Sequence, residues 1–513
     1  MRWSIASTAK GFLHRHLLKN SNPGIGLPPS LRLCGFRFWV RAFSGASNYR
    51  EILRSGLHSI EYEDAVGLFV HMAESYPLPS IVEFNKVLTA IAKMKRYDAV
   101  INLWNLVENT ENIEISPDLY TCNILVNCVC RCFQPSLALS YVGKMMKLGI
   151  EPDIVTSSSL VNGFCLTNSV KDAVDVANQM EEMGIKRNVV DYTIVIDSLC
   201  KKRLVISALE FFKVMLNRGI APNVVTYSSL ISGLCNSGKL SEASQLLHEM
   251  ISRNVKPNVV TFSALIHAYA KDGKLLEAQD MFKGMIQMSI DPNVFIYSSL
   301  INGYCMHDRV DQARNVFDFM ENKGCDPNVV TYSTLANGFF KSMRLQDGIN
   351  LFHKMSQKGV AENTVSRNTL IQGFFRAGCI KQALCVFRNM TSSGPPPNVR
   401  SYNIVLAGLC GDGKVATALK LFEDMQKTRN DPDIITYTIM IQGMCKASMV
   451  EEAYELFDNL KYKGVKPDRK AYMIMISGLN NGGMRAEASQ LMRFFQRELR
   501  VMKSRGTKAH QMK

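Results

Sequence analysis

The amino-acid sequence predicts an all-α protein built as a solenoid of stacked helix–turn–helix repeats. Three observations support this: a 35-residue period, two helical patterns in each period, and a proline that closes most periods. Methionine recurs at this spacing nine times in succession, from Met145 to Met425. Two short helices cannot bury their apolar faces alone, so neighbouring repeats must stack on one another.

The repeat Val224–Asn258 illustrates the two helices of each period. Its apolar residues follow helical spacing in two groups, which are Val225, Leu230, Ile231 and Leu234, then Leu240, Ala243, Leu246, Leu247 and Met250. Residues 236–239 lie between these groups and have the composition of a turn. Pro257 closes the repeat, because proline cannot continue a helix and disfavours helical angles in the preceding residue.

Small residues recur inside the first predicted helix. Glycine costs about 1 kcal/mol there relative to alanine, so its repetition predicts close approach of neighbouring helices. These glycines are Gly163, Gly233, Gly303, Gly338, Gly373, Gly408, Gly443 and Gly478. Two places further on, small cysteines are expected in the core, at Cys130, Cys165, Cys200, Cys235, Cys305, Cys410 and Cys445. The Cys-Val-Cys-Arg-Cys run at 128–132 has no second Cys or His pair at metal-binding spacing, so no metal site is predicted.

The repeats define the predicted domain organisation. Ten regular repeats fill residues 119–468 without insertion or deletion. Two atypical repeats precede them at 46–118, with three extra residues near 109–112, and a degenerate capping repeat follows at 469–503. Residues 1–45 form a transit peptide and basic arm, and 504–513 form a basic tail.

Composition excludes several classes of protein. Of the 513 residues 47% are hydrophobic and 20% charged, which suits a packed core and argues against disorder. No stretch approaches the roughly 18 apolar residues of a membrane-spanning helix, so no membrane insertion is predicted. The 14 cysteines follow the repeat rather than a disulfide framework and indicate buried thiols in a reducing compartment.

The net charge of +15 is concentrated at the two ends of the chain. Residues 1–45 carry seven basic residues and no acidic one, a composition typical of an organelle transit peptide. Arg41, Phe43 and Ser44 resemble a mitochondrial processing site, which predicts mitochondrial localisation. The alternatives are a chloroplast address and a basic arm on a cytosolic protein. Since the central repeats are nearly neutral, bulk charge does not establish that they bind phosphates.

The repeat signature resembles the pentatricopeptide repeat (PPR). It reads Val-Val-Thr-Tyr-Ser-Ser-Leu-Ile-Ser-Gly-Leu-Cys at 224–235, Gly-Lys-Leu-Ser-Glu-Ala at 238–243 and Pro-Asn at 257–258. The uniform repeat length resembles the P class. Segments 49–54 and 80–88, after the leader, are similar to the restorer-of-fertility-like branch of plant mitochondrial PPR proteins. The resemblance implies a right-handed superhelical solenoid that binds one organellar transcript and acts in RNA processing, end definition or stabilisation.

By this resemblance, the fifth and last residues of each repeat read one base of single-stranded RNA. The pairs are Asn85 with Asp118, Asn123 with Asp153, Ser158 with Asn188, Thr193 with Asn223, Ser228 with Asn258, Ser263 with Asn293, Ser298 with Asn328, Ser333 with Asn363, Asn368 with Asn398, Asn403 with Asp433, and Thr438 with Asp468. Read with the family's correspondence, they predict the target 5′-UUAAAAAAYUG-3′.

The second residue of each repeat is expected to pack against a base. These residues are Tyr120, Val155, Val190, Val225, Val260, Phe295, Val330, Val365, Arg400 and Ile435. An alternative explains the polar residues as helix caps, because Asn and Asp are favoured immediately before a helix. The capping alternative predicts that Asn258→Asp leaves ligand choice unchanged, whereas the reading hypothesis predicts a shift away from adenine.

Basic residues at the thirteenth place are candidates for phosphate contacts. They are Lys93, Arg131, Lys201, Lys271, Lys341, Arg376 and Lys446. The alternative is that these cations only complement the dipole at the end of the first helix.

The sequence predicts a binding protein rather than an enzyme, with no cofactor. It contains no His-x-Glu followed by a Cys-x-x-Cys pair, no phosphate-binding glycine loop and no serine-nucleophile elbow. Processing of bound RNA would therefore require a separate ribonuclease or other processing factor. A helical-repeat scaffold for protein–protein interaction is the alternative function.

Overall fold

The computed structural model describes residues 53, 57, 60–108, 115–392, 394–428 and 430–497. The predicted transit peptide, the extra residues near 109–112 and the basic tail lie outside this part of the chain. The described residues form helices joined by short turns and include no β-strand. The predicted all-α repeat solenoid is confirmed. None of the described helices combines the length and apolar character needed to cross a bilayer.

The described chain divides into two compact units between Leu265 and Ile266. Helices of the first unit are α1 (Tyr62–Glu74), α2 (Ile81–Lys93), α3 (Tyr97–Glu108), α4 (Leu119–Arg131), α5 (Pro135–Lys147), α6 (Ile154–Leu166), α7 (Val170–Glu182), α8 (Val189–Lys201), α9 (Val205–Asn217), α10 (Val224–Asn236) and α11 (Leu240–Ser252). The division falls within α12 (Val259–Lys271).

The second unit continues with the same alternation of first and second helices. Its helices are α13 (Leu275–Gln287), α14 (Val294–Met306), α15 (Val310–Asn322), α16 (Val329–Lys341), α17 (Leu345–Gln357), α18 (Thr364–Arg376), α19 (Ile380–Ser392), α20 (Val399–Gly411), α21 (Val415–Gln426), α22 (Ile434–Lys446), α23 (Val450–Asp458) and α24 (Arg469–Asn481). Residues 485–497 are also helical. Even-numbered helices from α4 onward are the first helices of successive 35-residue repeats.

Adjacent first helices approach closely at the predicted glycines. A Cβ added to Gly163 would lie 2.4 Å from Cys130 Sγ, and one added to Gly443 would lie 2.4 Å from Cys410 Sγ. The cysteine of one repeat thus occupies the space that a side chain at the next repeat's glycine would need. Cys130 and Cys410 are buried, as the sequence predicts.

Aromatic contacts connect several of the second helices to the next first helix. Phe212 and Tyr227 have ring centroids 5.5 Å apart, and Phe422 and Tyr437 repeat this edge-to-face arrangement at 5.5 Å. Edge-to-face pairs contribute beyond the area that they bury. This contact fixes the orientation of one repeat on the next within each unit, and therefore positions the polar residues at the start of each first helix.

Candidate nucleic-acid interface

The last residue of each repeat is the N-cap of the following first helix. Asp118 Oδ1 accepts the Thr121 backbone N–H at 2.7 Å, and Asn328 Oδ1 accepts the Val330 and Thr331 N–H groups at 3.0 Å each. Capping, which was the alternative explanation for these residues, is therefore present in the structure.

Capping uses only one atom of each of these side chains. Asn188, Asn223 and Asn258 accept the backbone N–H groups of the following helix through Oδ1. In the described part of the chain, their Nδ2 atoms make no hydrogen bond to protein. The last residues are half-buried or exposed, so this second atom remains accessible for a ligand. Capping and base reading are thus compatible roles for one side chain.

The second residues form a row of exposed side chains. The exposed fraction of the residue lies between 46% at Val190 and 62% at Val365 for the nine apolar and aromatic members, and Arg400 is exposed as well. Such regularly spaced exposure of valine, isoleucine, phenylalanine and tyrosine on a folded helix needs an explanation. A stacked base would cover this apolar surface.

The fifth residues lie deeper than the second and last residues. Asn85 is 4% exposed and Thr438 5%, whereas Ser158, Ser263 and Ser298 are half-buried. Their burial results from packing against the next first helix: Ser228 Oγ lies 2.7 Å from Thr261 Oγ1, and Ser298 Oγ lies 2.8 Å from Thr331 Oγ1. A fifth residue therefore presents only its outer polar edge to a ligand.

The structure joins three of the predicted base-reading pairs directly. The amide nitrogen Nδ2 donates to the aspartate Oδ1 from Asn85 to Asp118 at 3.0 Å, from Asn123 to Asp153 at 3.1 Å and from Asn403 to Asp433 at 3.2 Å. All three are the Asn–Asp combination. The pairs with Ser or Thr at the fifth place make no such direct bond among the described residues.

Hydrogen bonds hold the aspartates of these pairs in their ionised form. Burial opposes ionisation of Asp118, but bonds from the Thr121 backbone and hydroxyl and from Asn85 outweigh it, so the pKa of its carboxyl lies below the usual value. The same balance lowers the pKa of Asp433 through Thr436 and Asn403. An ionised carboxylate accepts hydrogen bonds and cannot donate them.

A cavity of about 1070 Å³ brings the three predicted sets of residues together in the second unit. Its lining includes Asn403 and Asp433 from the base-reading set, Arg400 and Ile435 from the base-packing set, and Arg376 from the phosphate set. Asn403 Oδ1 is buried and has no protein partner. The cavity therefore places a carboxylate and a buried amide oxygen without a protein partner between two flanking side chains.

Two cavities in the first unit have equivalent linings. One of about 720 Å³ is lined by Asn123, Asp153, Tyr120, Val155 and Arg131. Another of about 740 Å³ is lined by Asn85, Asp118, Val82, Tyr120 and Lys93. In each, an Asn–Asp pair lies between two second-place side chains, with a basic residue of the thirteenth place nearby.

The third residue of each repeat was not singled out by sequence reasoning. Where this residue is threonine or serine it completes the cap, and in several repeats the threonine also contacts the fifth residue of the preceding repeat. Thr156 Oγ1, for example, donates to Asn123 Oδ1 at 2.5 Å and lies 3.0 Å from Asp153 Oδ1. The sequence feature that could have indicated this role is the recurring threonine of the Val-Val-Thr-Tyr signature.

The thirteenth-place cations are exposed at the ends of their first helices. Lys201 pairs with Asp197, its Nζ lying 2.6 Å from the carboxylate, and Arg376 donates to Asn337 Oδ1 at 3.4 Å. The position is thus consistent with the dipole alternative, while Lys93, Arg131 and Arg376 also line the cavities described above.

Comparison with sequence profiles gives a consistent match along the repeats. The PPR repeat family profile matches residues 117–166, 187–236, 229–271, 258–305, 292–341, 362–411, 397–446 and 432–481. A second profile, described as PPR repeat, matches residues 155–185 and 330–360. Together they extend over more than half of the chain and agree in register with the helix pairs.

Similar proteins carry the same repeat. Pentatricopeptide repeat-containing protein At4g26800 of Arabidopsis thaliana is 76% identical over 156 residues, which cover 29% of this chain and 30% of that protein. Pentatricopeptide repeat-containing protein At5g16640, mitochondrial, of the same plant is 51% identical over 146 residues, 28% of each chain. The matched segments thus span less than a third of these relatives. The crystal structure of the pentatricopeptide repeat protein PPR10 from maize has a TM-score of 0.48 and 20% identity, covering 89% of this chain and 76% of that chain.

Proposed function

The chain belongs to the PPR repeat family, and from this membership we propose that it binds single-stranded RNA sequence-specifically, one base per repeat. The proposed target is 5′-UUAAAAAAYUG-3′, read by the fifth and last residues. The second residues pack against the bases and the thirteenth-place cations contact phosphates. The chain acts by binding, and a separate enzyme carries out any cleavage.

The cavity around Asn403 and Asp433 is the observation that carries this proposal. It combines an unpaired acceptor, an ionised carboxylate, two flanking side chains and a cation within one space. The N3–H group of uracil can donate to such a carboxylate, and the apolar face of the base can pack between the flanking side chains. A peptide-binding scaffold has no need for the restricted alphabet of Asn, Ser and Thr at one place against Asn and Asp at another.

We further propose that the RNA is a mitochondrial transcript and that binding defines or stabilises a processed end. The arginine-rich leader at 1–45 supports this localisation, as does the word mitochondrial in the names of several relatives from Arabidopsis thaliana. The assignment to the P class and to the restorer-of-fertility-like branch is part of the same proposal.

A gel-shift experiment tests RNA binding and its sequence dependence. Purified protein is titrated against the predicted 11-mer and against a matched 11-mer whose central adenines are replaced by cytosines. We expect tight binding of the first and a loss of at least about tenfold for the second, since each mismatched contact removes roughly 1–3 kcal/mol. Equal affinity for both RNAs, or binding to neither, would contradict the proposal.

A further inference from the structure

One repeat has a carboxylate where most others have a hydroxyl. Asp191 occupies the third place, taken by threonine at 121, 156, 226, 261, 331 and 436. It is 2% exposed, and its Oδ1 accepts the hydroxyl proton of Ser158 at 2.5 Å. Its Oδ2 accepts the backbone N–H of Asn188 at 3.3 Å. Asp191 therefore contacts both residues of the base-reading pair Ser158 and Asn188.

Two other repeats with the same Ser–Asn pair provide an internal comparison. Ser228 faces Thr261 at 2.7 Å and Ser298 faces Thr331 at 2.8 Å, and in each contact either hydroxyl can donate. Each threonine hydroxyl also lies 3.1 Å from the Oδ1 of Asn258 or Asn328, to which it can donate instead. When the threonine donates to the serine, the proton of the serine is free for a ligand. Ser158 differs because its neighbour is a buried carboxylate that only accepts when ionised.

Burial raises the pKa of the Asp191 carboxyl above its ordinary value, because it outweighs the hydrogen bonds from Ser158 and the Asn188 backbone and the positive charge of Arg187. Since an aspartate carboxyl ordinarily ionises at about pH 4, the binding affinities are measured at pH 8, well on the ionised side. A hydroxyl has a single proton. Once that proton is committed to Asp191, Ser158 presents only lone pairs outward.

We propose that Asp191 is a third specificity-determining residue, which shifts its repeat from adenine toward guanine by fixing Ser158 as a hydrogen-bond acceptor. This inference rests on the proposed RNA-binding function. The ring nitrogen N1 is an acceptor in adenine and carries a hydrogen in guanine. An acceptor-only Ser158 repels the first and binds the second. The fifth and last residues alone therefore do not determine the base at this repeat.

The test compares two nucleotides of the same RNA. In the predicted 11-mer, the pair Ser158–Asn188 faces nucleotide 3 and the pair Ser228–Asn258 faces nucleotide 5. Affinities are measured at pH 8 for the parent RNA and for RNAs with guanine at position 3 or at position 5. We expect the preference for adenine over guanine to be about threefold to tenfold smaller at position 3, the effect of roughly one hydrogen bond.

Two reciprocal variants test whether Asp191 is responsible. Asp191→Thr is expected to make position 3 behave like position 5, and Thr261→Asp is expected to give position 5 the reduced preference of position 3. Circular dichroism establishes that each variant is folded. The comparison of positions 3 and 5 in the wild-type protein needs no variant. It can therefore still refute the proposal if one or both variants fail to fold.

The outcomes separate this inference from the proposed function. Binding of the parent RNA with equal guanine penalties at positions 3 and 5 would overturn the role of Asp191 and leave RNA binding intact. An unchanged preference at position 3 in folded Asp191→Thr would do the same. Failure of the wild-type protein to bind the parent RNA would overturn both.

Discussion

Asn403 and Asp433 are the fifth and last residues of one repeat, and Asn403 Nδ2 donates to Asp433 Oδ1 at 3.2 Å. The bond holds Asn403 in one orientation and leaves its own Oδ1 buried without a protein partner. Asp433 Oδ1 also accepts the Thr436 backbone N–H at 2.8 Å. The two side chains therefore form one polar unit, which combines capping, mutual orientation and an acceptor without a protein partner.

Exchanging this pair should change the base preferred at nucleotide 10. Asn403→Ser with Asp433→Asn creates the Ser–Asn combination of the predicted adenine-reading repeats. We expect the preference to shift from uracil to adenine by about tenfold or more, because a good base contact contributes roughly 1–3 kcal/mol to discrimination. Gel shifts with all four bases at nucleotide 10 measure this.

The Asn123 and Asp153 pair is the matched control for that exchange, since it has the same chemistry and is left unchanged. Its uracil preference at nucleotide 2 should stay as in the wild-type protein. A variant that keeps uracil at nucleotide 10 would show that the pair does not read the base.

Substitution of a single cap separates capping from base reading. Asn258 Oδ1 accepts the Thr261 N–H at 3.1 Å, and an aspartate retains this oxygen. Asn258→Asp should therefore keep the unfolding midpoint nearly unchanged, while Asn258→Ala should cost about 1 kcal/mol. The aspartate replaces the Nδ2 donor with an acceptor, so affinity for adenine at nucleotide 5 should fall. Unchanged base preference in Asn258→Asp would leave capping as the complete explanation.

Much of this architecture could be predicted from the spacing of a few residues. Pro257 and the 35-residue recurrence of Met250 establish the register of the repeats. Gly443 indicates close helix contact, because a glycine inside a helix destabilises it unless the missing side chain allows a neighbour to approach. The exposed row at Val225 and its equivalents also follows, since residue two of a helix that begins at Val224 points away from the neighbouring repeat.

The contacts between repeats could not be predicted in the same way. Whether Asn85 reaches Asp118 or Thr121 depends on the rotation and separation of adjacent helices, and spacing in one sequence contains no information on either. The role of Asp191 could not be predicted for the same reason. In the sequence it resembles a variant capping residue, and only the structure shows its contact with Ser158, 33 residues earlier.

Adding one methyl group at a helix contact should destabilise the second unit. A Cβ on Gly443 would lie 2.4 Å from Cys410 Sγ and 2.7 Å from Cys410 Cβ. Gly443→Ala should therefore lower the free energy of unfolding by about 1–3 kcal/mol, the usual cost of overpacking. The same change should cost less in a Cys410→Gly background, because the obstructing side chain is gone. Urea unfolding of the four proteins measures this coupling.

Gly411→Ala is the control for that experiment, because nothing lies within 4 Å of an added Cβ at this position. We expect it to be neutral or stabilising. Equal destabilisation by Gly443→Ala in both backgrounds would contradict the proposed contact.

Buried thiols should make the protein less stable in alkali. Burial, with a smaller contribution from Asp197, raises the pKa of Cys200 from 9.0 to about 12. Above pH 9 the unfolded chain loses this proton while the folded chain retains it, so unfolding becomes more favourable as pH rises toward 12. Cys200→Ala should reduce the decrease in the urea midpoint between pH 9 and 10.5. The urea midpoint of Cys200→Ala at pH 7 corrects for the packing lost with the thiol. If the variant and the wild-type protein show the same pH dependence, ionisation of Cys200 is not responsible for the loss of stability.

Phosphate contact and helix-dipole stabilisation make different predictions for Lys341. This residue is exposed at the end of α16, with its charge close to the negative end of the helix dipole. If it contacts RNA, Lys341→Ala should weaken binding of all RNA sequences alike and reduce the salt dependence by about 0.7 in the log–log slope, the value for one single-strand phosphate contact. Dipole stabilisation alone predicts a small loss of stability and an unchanged slope.

Lys420 provides the matched control, since it is an exposed lysine on the second helix α21. Lys420→Ala removes the same charge and should leave the slope close to the wild-type value. If both variants change the slope equally, net charge is responsible and the thirteenth place has no special role. A change confined to Lys341→Ala would assign this edge of the first helices to the RNA backbone.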